Sequence, residues 1–389
     1  MIIAVVARHH HYTYVVPGES RPRRHPTRDA SARDITTFPY PASTEHGFTT
    51  VGAIFDDALN PGRKRPFAIR AVMEALVDQD GGWLERWDAW AGAETAIVWD
   101  AHLGGMPICL IGIESTSVPR SDPPVDGPPA WTGGALFLGS SKKVARALNA
   151  ASGNRPVVVL ANLSGFDGSP ESLRDLQLEH GAEIARAVVR FDGPILFVVV
   201  SRYHGGAYVV FSKALNRHLH AMAIDGAYAS VIGGAAAAAV IFKRDVYARA
   251  VEAPAVRRAA TALARRSFAR RRRAHRESLA AALRDARTAV ATEFDEVHSV
   301  ARACRVGSLD EIIAPRQLRP ALIRALRRAS GESRPRSRMA MRAHGAAQQA
   351  RSRRAAAPTC AAEADRRDSY PEYGLSEAAP NGVDRSAKK

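Results

Sequence analysis

Two short apolar runs leave this chain few folds to choose from. Val157–Ala161 and Ile195–Val200 are too short for helices, rich in β-branched residues and without polar alternation. Runs of that kind are strands buried on both faces, which is how a parallel sheet reads. Between them Ser169 is placed to cap a helix, Pro170 suits its first position, and Glu171 and Asp175 favour the positive end of its dipole. Leu173, Leu176, His180, Ile184 and Val188 recur at helical spacing and predict the buried face. A strand, a helix and a strand in one parallel sheet imply a right-handed crossover, so the fold class is α/β.

The second strand run leads into the loop Ser201–Gly205, and a second helix is predicted from Gly206 to Leu215 with Asn216 as its terminator. Glycine at 205 and 206 lets a ligand approach the main chain, because no Cβ stands in the way. The amides of Gly206 and Ala207 would then be free at the positive end of the helix. An oxyanion pocket can be made from backbone donors of this kind. A plain tight turn uses the same residues, and the spacing alone leaves both readings open. Beyond the short strands Ala221–Ile224 and Ala227–Val231, Gly233 and Gly234 open an alanine-rich helix, Ala235–Phe242. That glycine pair is either a second site-lining turn or a packing device.

Three segments in order narrow the choice: 161–171 (Ala-Asn-Leu-Ser-Gly-Phe-Asp-Gly-Ser-Pro-Glu), 201–215 (Ser-Arg-Tyr-His-Gly-Gly-Ala-Tyr-Val-Val-Phe-Ser-Lys-Ala-Leu) and 229–235 (Ala-Ser-Val-Ile-Gly-Gly-Ala). Together they resemble the carboxyltransferase domain of biotin-dependent acetyl-CoA and propionyl-CoA carboxylases, over roughly residues 50–325 and in its C-terminal half. The segment 60–67 (Asn-Pro-Gly-Arg-Lys-Arg-Pro-Phe), the hairpin around Leu103–Met106, and the stretches 293–298, 305–314 and 316–320 fit the same family.

The resemblance implies a crotonase-like fold of repeated ββα units. It implies a cofactor, biotin, arriving as carboxybiotin on a separate carrier, with no metal. The ureido nitrogen of biotin serves as the base, so no side-chain base is required, and backbone amides hold the developing oxyanions. By motif position Gly206 and Ala207 are the catalytic donors. Gly205, Tyr208, Val209, Gly165, Phe166, Gly233 and Gly234 line the biotin and substrate side. Some relatives carry an acidic residue where this chain has Val209, and eukaryotic relatives an arginine where it has Ser164. The first departure leaves the acyl preference open; the second removes the arginine that pairs with the substrate carboxylate in those relatives.

The implied partners are an acyl-CoA substrate, a biotin carboxyl carrier, a biotin carboxylase and a chain supplying the absent N-terminal half, in a homo- or hetero-oligomer. A truncated, non-catalytic half acting as an interaction subunit is the alternative. A crotonase-type hydratase or thioesterase working alone is another, and it would need positioned acids. Glu171, Glu179 and Glu183 on the first helix read as capping or surface residues.

Charge bears on partners. The net charge of +16 and isoelectric point near 10.4 would suit nucleic acid. The arginines, however, crowd 257–276 and the tail beyond 327 without interleaved aromatics, so a solvated face is expected and nucleic acid is not. Three scattered cysteines form no Cys-x-x-Cys pair, which argues against a structural zinc. No stretch is long enough to span a membrane, and a cytoplasmic location is expected.

The expected organisation is a disordered segment 1–48 that includes His9–His11, a core over 49–251, an Arg/Ala-rich helical insertion 252–298, a closing segment 299–329 and a disordered basic tail 330–389. Within the core, Ile69, Val72, Met73, Leu76 and Val77 mark an amphipathic helix. Thr95–Ala101 and Pro107–Ile113 form a hairpin, and Ser140–Ala151 a helix with Lys142 and Lys143 outward. Arg63, Lys64 and Arg65 read as a surface turn or an anion contact.

Overall fold

A computed structural model describes residues 27–29, 32–41, 46–121, 124–263 and 268–330. The cluster His9–His11 and the tail from residue 331 lie outside the described residues. Order begins earlier than Thr49. Ile35 is fully buried, and the Tyr40 hydroxyl accepts the Ala68 amide at 2.7 Å, so part of the segment expected to be disordered closes one side of the core.

One eight-stranded sheet organises the chain. Strand β1 (Trp83–Glu85) pairs antiparallel with β2 (Ala96–Leu103), which turns through Gly104 and Gly105 into β3 (Met106–Ile113). Both turn glycines have positive φ, 59° and 77°, as a two-residue hairpin with the sheet's own twist requires. From β3 on, pairing is parallel: β4 (Val157–Leu163), β5 (Ile195–Tyr203), β6 (Leu219–Ile224) and, at the far edge, β8 (Glu311–Ile313). The two-residue β7 (Tyr228–Ala229) adds to the end of β5. Side chains of β4 and β5 alternate between two cores, which is why 157–161 and 195–200 carry no polar residue. Val158, Leu160, Leu196 and Val198 face α1 (Ile69–Leu76) and the C-terminal helix; Val157, Val159, Phe197 and Val199 face the crossover helices.

The helix α2 (Leu138–Ala151) lies against the second face. Lys143 on it is buried rather than outward. The crossover between β4 and β5 also departs from expectation. It is two helices, α3 (Pro170–Arg174) and α4 (Gln177–Arg190), broken at Leu176, whose φ is 61°. Ser169 caps α3 as predicted, accepting the Ser172 amide. The break rotates the inward face, so Gln177, Gly181, Ile184, Ala187 and Val188 are buried while Leu173 and Leu176 are exposed.

The helix after β5, α5 (Gly206–Val210), is also shorter than predicted. Asn216 does not end it. Its side-chain amide donates to the Val188 and Phe191 carbonyls at 2.7 and 3.0 Å, tying the loop to the end of α4. Arg63 is likewise no surface residue. It is buried, donates to the Val200 carbonyl at 2.7 Å and to that of Asp225, and lies over the Phe55 ring.

Four helices, α6 (Gly234–Val240), α7 (Lys243–Glu252), α8 (Pro254–Leu263) and the long α9 (Phe268–Val297), follow, with a small core of their own around Val246, Ala250 and Val290. The described residues end with α10 (Val300–Arg305), β8 and α11 (Leu318–Ala329). Among the described residues no helix is long and apolar enough to cross a membrane.

Candidate functional site

The carboxyl ends of β4 and β5 deliver two loops into direct contact. After β4 the chain runs through Ser164, Gly165 and Phe166; after β5 it runs through His204, Gly205 and Gly206. The His204 amide donates to the Leu163 carbonyl at 2.8 Å and fixes the spacing of the loops. Glycine is obligatory at 205. Its φ of 66° and ψ of −147° suit no other residue, and a Cβ there would lie 2.9 Å from the Gly165 α-carbon. At Gly206 a Cβ would lie 2.4 Å from Phe166 Cδ2 and 2.6 Å from Cε2, so one edge of the phenyl ring abuts that glycine.

Gly206 and Ala207 are the first two residues of α5. Among the described residues neither amide has a hydrogen-bond partner, whereas Gly205 donates to the Val231 carbonyl at 2.9 Å and Tyr208 to that of Gly205. Gly206 is partly exposed; Ala207 is buried. Two free donors at the positive end of a helix can receive an oxygen that gains charge.

Gly165, Phe166, Gly205, Gly206 and Ala207 therefore come together. Val209, 59% exposed, lies further on along the outer face of α5. Tyr208 turns away. Its hydroxyl donates to Ser308 Oγ at 2.6 Å, and its ring packs on Tyr203, so it fastens α5 to the closing segment. Gly233 lies against the His204 ring, whereas the Gly234 amide already donates to Asp295 Oδ1 at 2.8 Å.

Sequence reasoning passed over His204, Ser230 and Asp295. His204 is 5% exposed, and its Nδ1 lies 3.1 Å from Ser230 Oγ and 3.3 Å from the Ser230 carbonyl. Burial holds its pKa below the ordinary 6.5, against the opposing effects of the Ser230 contact and the Asp295 charge. Its position beside the glycine pair was the available signal. Asp295, some ninety residues on, offered none. Among the described residues no group of three or more His, Cys, Asp or Glu side chains could hold a metal.

A largely parallel sheet with helices on both faces, and a glycine-bounded helix start at its carboxyl edge, defines a crotonase-like α/β fold. Two solved structures of transcarboxylase 12S share it, one with hydrolysed methylmalonyl-coenzyme A bound and one with methylmalonyl-coenzyme A and methylmalonic acid bound. Each superposes with a TM-score of 0.55 over 84% of this chain and 50% of that chain, at 18% and 19% identity. The carboxyl transferase domain model matches residues 36–345, and the chain belongs to that family. Acetyl-CoA carboxylase dmxL1 of Cryptosporiopsis sp. is 27% identical over 182 residues, and acetyl-CoA carboxylase of Saccharomyces cerevisiae 28% over 177. Each alignment covers 42% of this chain and 8% of the relative, so the chain corresponds to a small part of those proteins.

Proposed function

We propose that the chain is the biotin-facing half of a carboxyltransferase, one that passes a carboxyl group to the α-carbon of a short acyl-CoA, acetyl-CoA or propionyl-CoA. The supporting observation is the pair of unpartnered amides at Gly206 and Ala207, held where two glycine loops meet at the carboxyl edge of the sheet. The residues fit a cyclic urea. The absence of a Cβ at Gly205 and Gly206 lets a flat ring come close to the main chain, and the two N–H groups converge on one end of α5. Carboxybiotin, brought by a separate carrier, would supply the carboxyl group and a ureido nitrogen able to take the α-proton.

The chain's own part is electrostatic. Gly206 is partly exposed and Ala207 buried, and both N–H groups are free to donate at the start of α5. Charge that grows on the bound oxygen is stabilised by donors already oriented, at no cost of reorganisation. The enolate oxygen would be held by an N-terminal half from another chain, in a homo- or hetero-oligomer; this chain spans half the length of the transcarboxylase it superposes on.

A hydratase acting alone is less well supported. Glu171 is held by both Arg120 nitrogens at 2.7 and 2.9 Å, and Glu183 pairs with Arg186, so these carboxylates are engaged in ion pairs. The test is Ala207→Pro in a complex reconstituted with an N-terminal half, biotin carboxylase and carrier. Proline removes one N–H yet suits a helix's first turn. Carboxyl transfer should fall by roughly a hundredfold or more with little change in melting temperature. Full transfer at unchanged melting temperature would show that these amides are not the pocket.

A further inference from the structure

Helices α6, α7 and α9 form a cavity of about 460 Å³, a size common among small-molecule sites. None of the glycine-loop residues lines it. Its floor is apolar: Ala238 and Val246 are buried and Leu283 half-buried. The Tyr247 side chain forms part of the wall, and the short side chain of Ala248 leaves room beside it. On α7 the residues at 243, 244, 247 and 248 share one helical face, while Val246 and Ala250 pack inward against α9.

Lys243, Arg244 and Arg287 line the same cavity and are exposed, so a cationic mouth stands over the apolar floor. Among the described residues none of these three side chains has a hydrogen bond or an ion pair. Arg249, further along α7, shows the usual arrangement: its two terminal nitrogens hold Glu293 of α9 at 2.6 and 2.9 Å. Lys243 and Arg244 also stand in the first turn of α7, where the helix dipole disfavours a cation. The one carboxylate of that turn, Asp245, does not line the cavity. A cleft lined by charge of one sign draws the opposite sign to it. A flat bilayer would meet the exposed cations without reaching the recessed Ala238 and Val246. A peptide helix, about 10 Å across, would fill the cavity within roughly one turn. A single alkyl chain fits both the depth and the charge.

We propose that this cavity binds a single-chain amphiphile with an anionic head, such as an alkyl carboxylate. The chain lies on Ala238, Val246 and Leu283, and the head meets Lys243, Arg244 and Arg287. The site is separate from the glycine turn and does not depend on the carboxyl-transfer reading.

The probe is sodium decanoate, titrated by calorimetry into the full chain and followed by the carbon-13 signals of alanine and leucine methyls. Binding should saturate and move Ala238, Ala248 and Leu283. Octanoate should bind about fourfold more weakly for each methylene removed. Decanol, which keeps the tail without the charge, should bind roughly tenfold more weakly than decanoate, and decyltrimethylammonium should not bind. Arg287→Gln should weaken decanoate about threefold and leave decanol unchanged. Ala248→Trp, a change at an exposed position, should fill the cavity and abolish binding at unchanged melting temperature. If that variant does not fold, the methyl signals and Arg287→Gln decide alone. The proposal is overturned if decanol and decanoate bind alike, if decanoate moves methyls elsewhere, or if Ala248→Trp binds it as the unaltered chain does. Capture by vesicles of anionic phospholipid with no response to decanoate would make the face a membrane contact instead. Self-association that Ala248→Trp abolishes, again with no response to decanoate, would give the cavity to a second copy and overturn the proposal equally.

Discussion

Gly205 and Gly165 meet main chain to main chain, so closely that a Cβ on Gly205 would stand 2.9 Å from the α-carbon of Gly165. The contact is not symmetrical. A Cβ on Gly165 would meet Gly205 at an ordinary 3.6 Å. Gly205→Ala therefore suffers a forbidden backbone conformation and a clash together, whereas Gly165→Ala, at φ 139°, suffers the first alone. We expect Gly205→Ala to lose roughly 2–4 kcal/mol and Gly165→Ala about 1–2 kcal/mol. Urea unfolding of both variants measures the difference, and equal losses would mean that the loops do not bear on each other.

Arg319 ties the end of the chain to the hairpin at its start. It has no exposed surface, donates to Asp78 at 2.7 Å and to the Leu76 carbonyl, and lies 3.3 Å from Asp29. Asp78 also accepts the Gly104 and Gly105 amides at 2.8 and 2.7 Å, so this one carboxylate fixes the turn and anchors α11. Arg319→Met would leave a buried carboxylate short of its cation, at about 3–5 kcal/mol. Denaturant midpoints test this. A loss under about 1 kcal/mol would mean that α11 docks by its apolar face alone.

Asp310 makes the closing segment sensitive to acid. Burial would raise its pKa, but hydrogen bonds from His220, Lys213 and the Ala221 amide outweigh that and bring it down to about 2. A carboxylate depressed in the folded state binds fewer protons there than in the unfolded chain. Its stabilisation is thus complete above the ordinary carboxylate range and is lost as pH falls towards 2. The group is partly exposed, which limits the effect to about 1 kcal/mol. Asp310→Asn should flatten stability against pH between about 5 and 2, and an unchanged slope there would sink the assignment.

Period and turn chemistry made the sheet legible in the sequence. The apolar stretches 157–161 of β4 and 195–200 of β5 carry no polar residue because both faces are covered, and the glycine pairs mark the turns where a Cβ would collide. Interruptions were hidden. Leu173 and Leu176 fit the helical repeat of the crossover, and nothing local announces that Leu176 takes a left-handed conformation and rotates the helix beyond it. Arg63 shows the same limit, since a basic triplet after Pro-Gly gives no sign that one guanidinium will cap strand carbonyls from within the core. At the site, Gly205 and Gly206 were legible from steric demand. The setting of His204 was not, since Ser230 and Asp295 reach it only once the chain has folded.

The break at Leu176 carries its own prediction. A leucine at φ 61° and ψ 37° is strained by about 1 kcal/mol or more, and its side chain is 56% exposed, so little packing offsets the strain. It is also the N-cap of α4, with no side-chain cap hydrogen bond. Asparagine tolerates this backbone region and is favoured at helix starts. Leu176→Asn should therefore stabilise the chain by about 0.5–1 kcal/mol, a rise of one to a few degrees in melting temperature. Leu173, also about half exposed but inside the regular turn of α3, is the control, and asparagine there should stabilise nothing. If Leu176→Asn instead melts lower than Leu173→Asn, the leucine is held by contacts that outweigh its backbone strain, and the kink is a packed feature rather than a tolerated one.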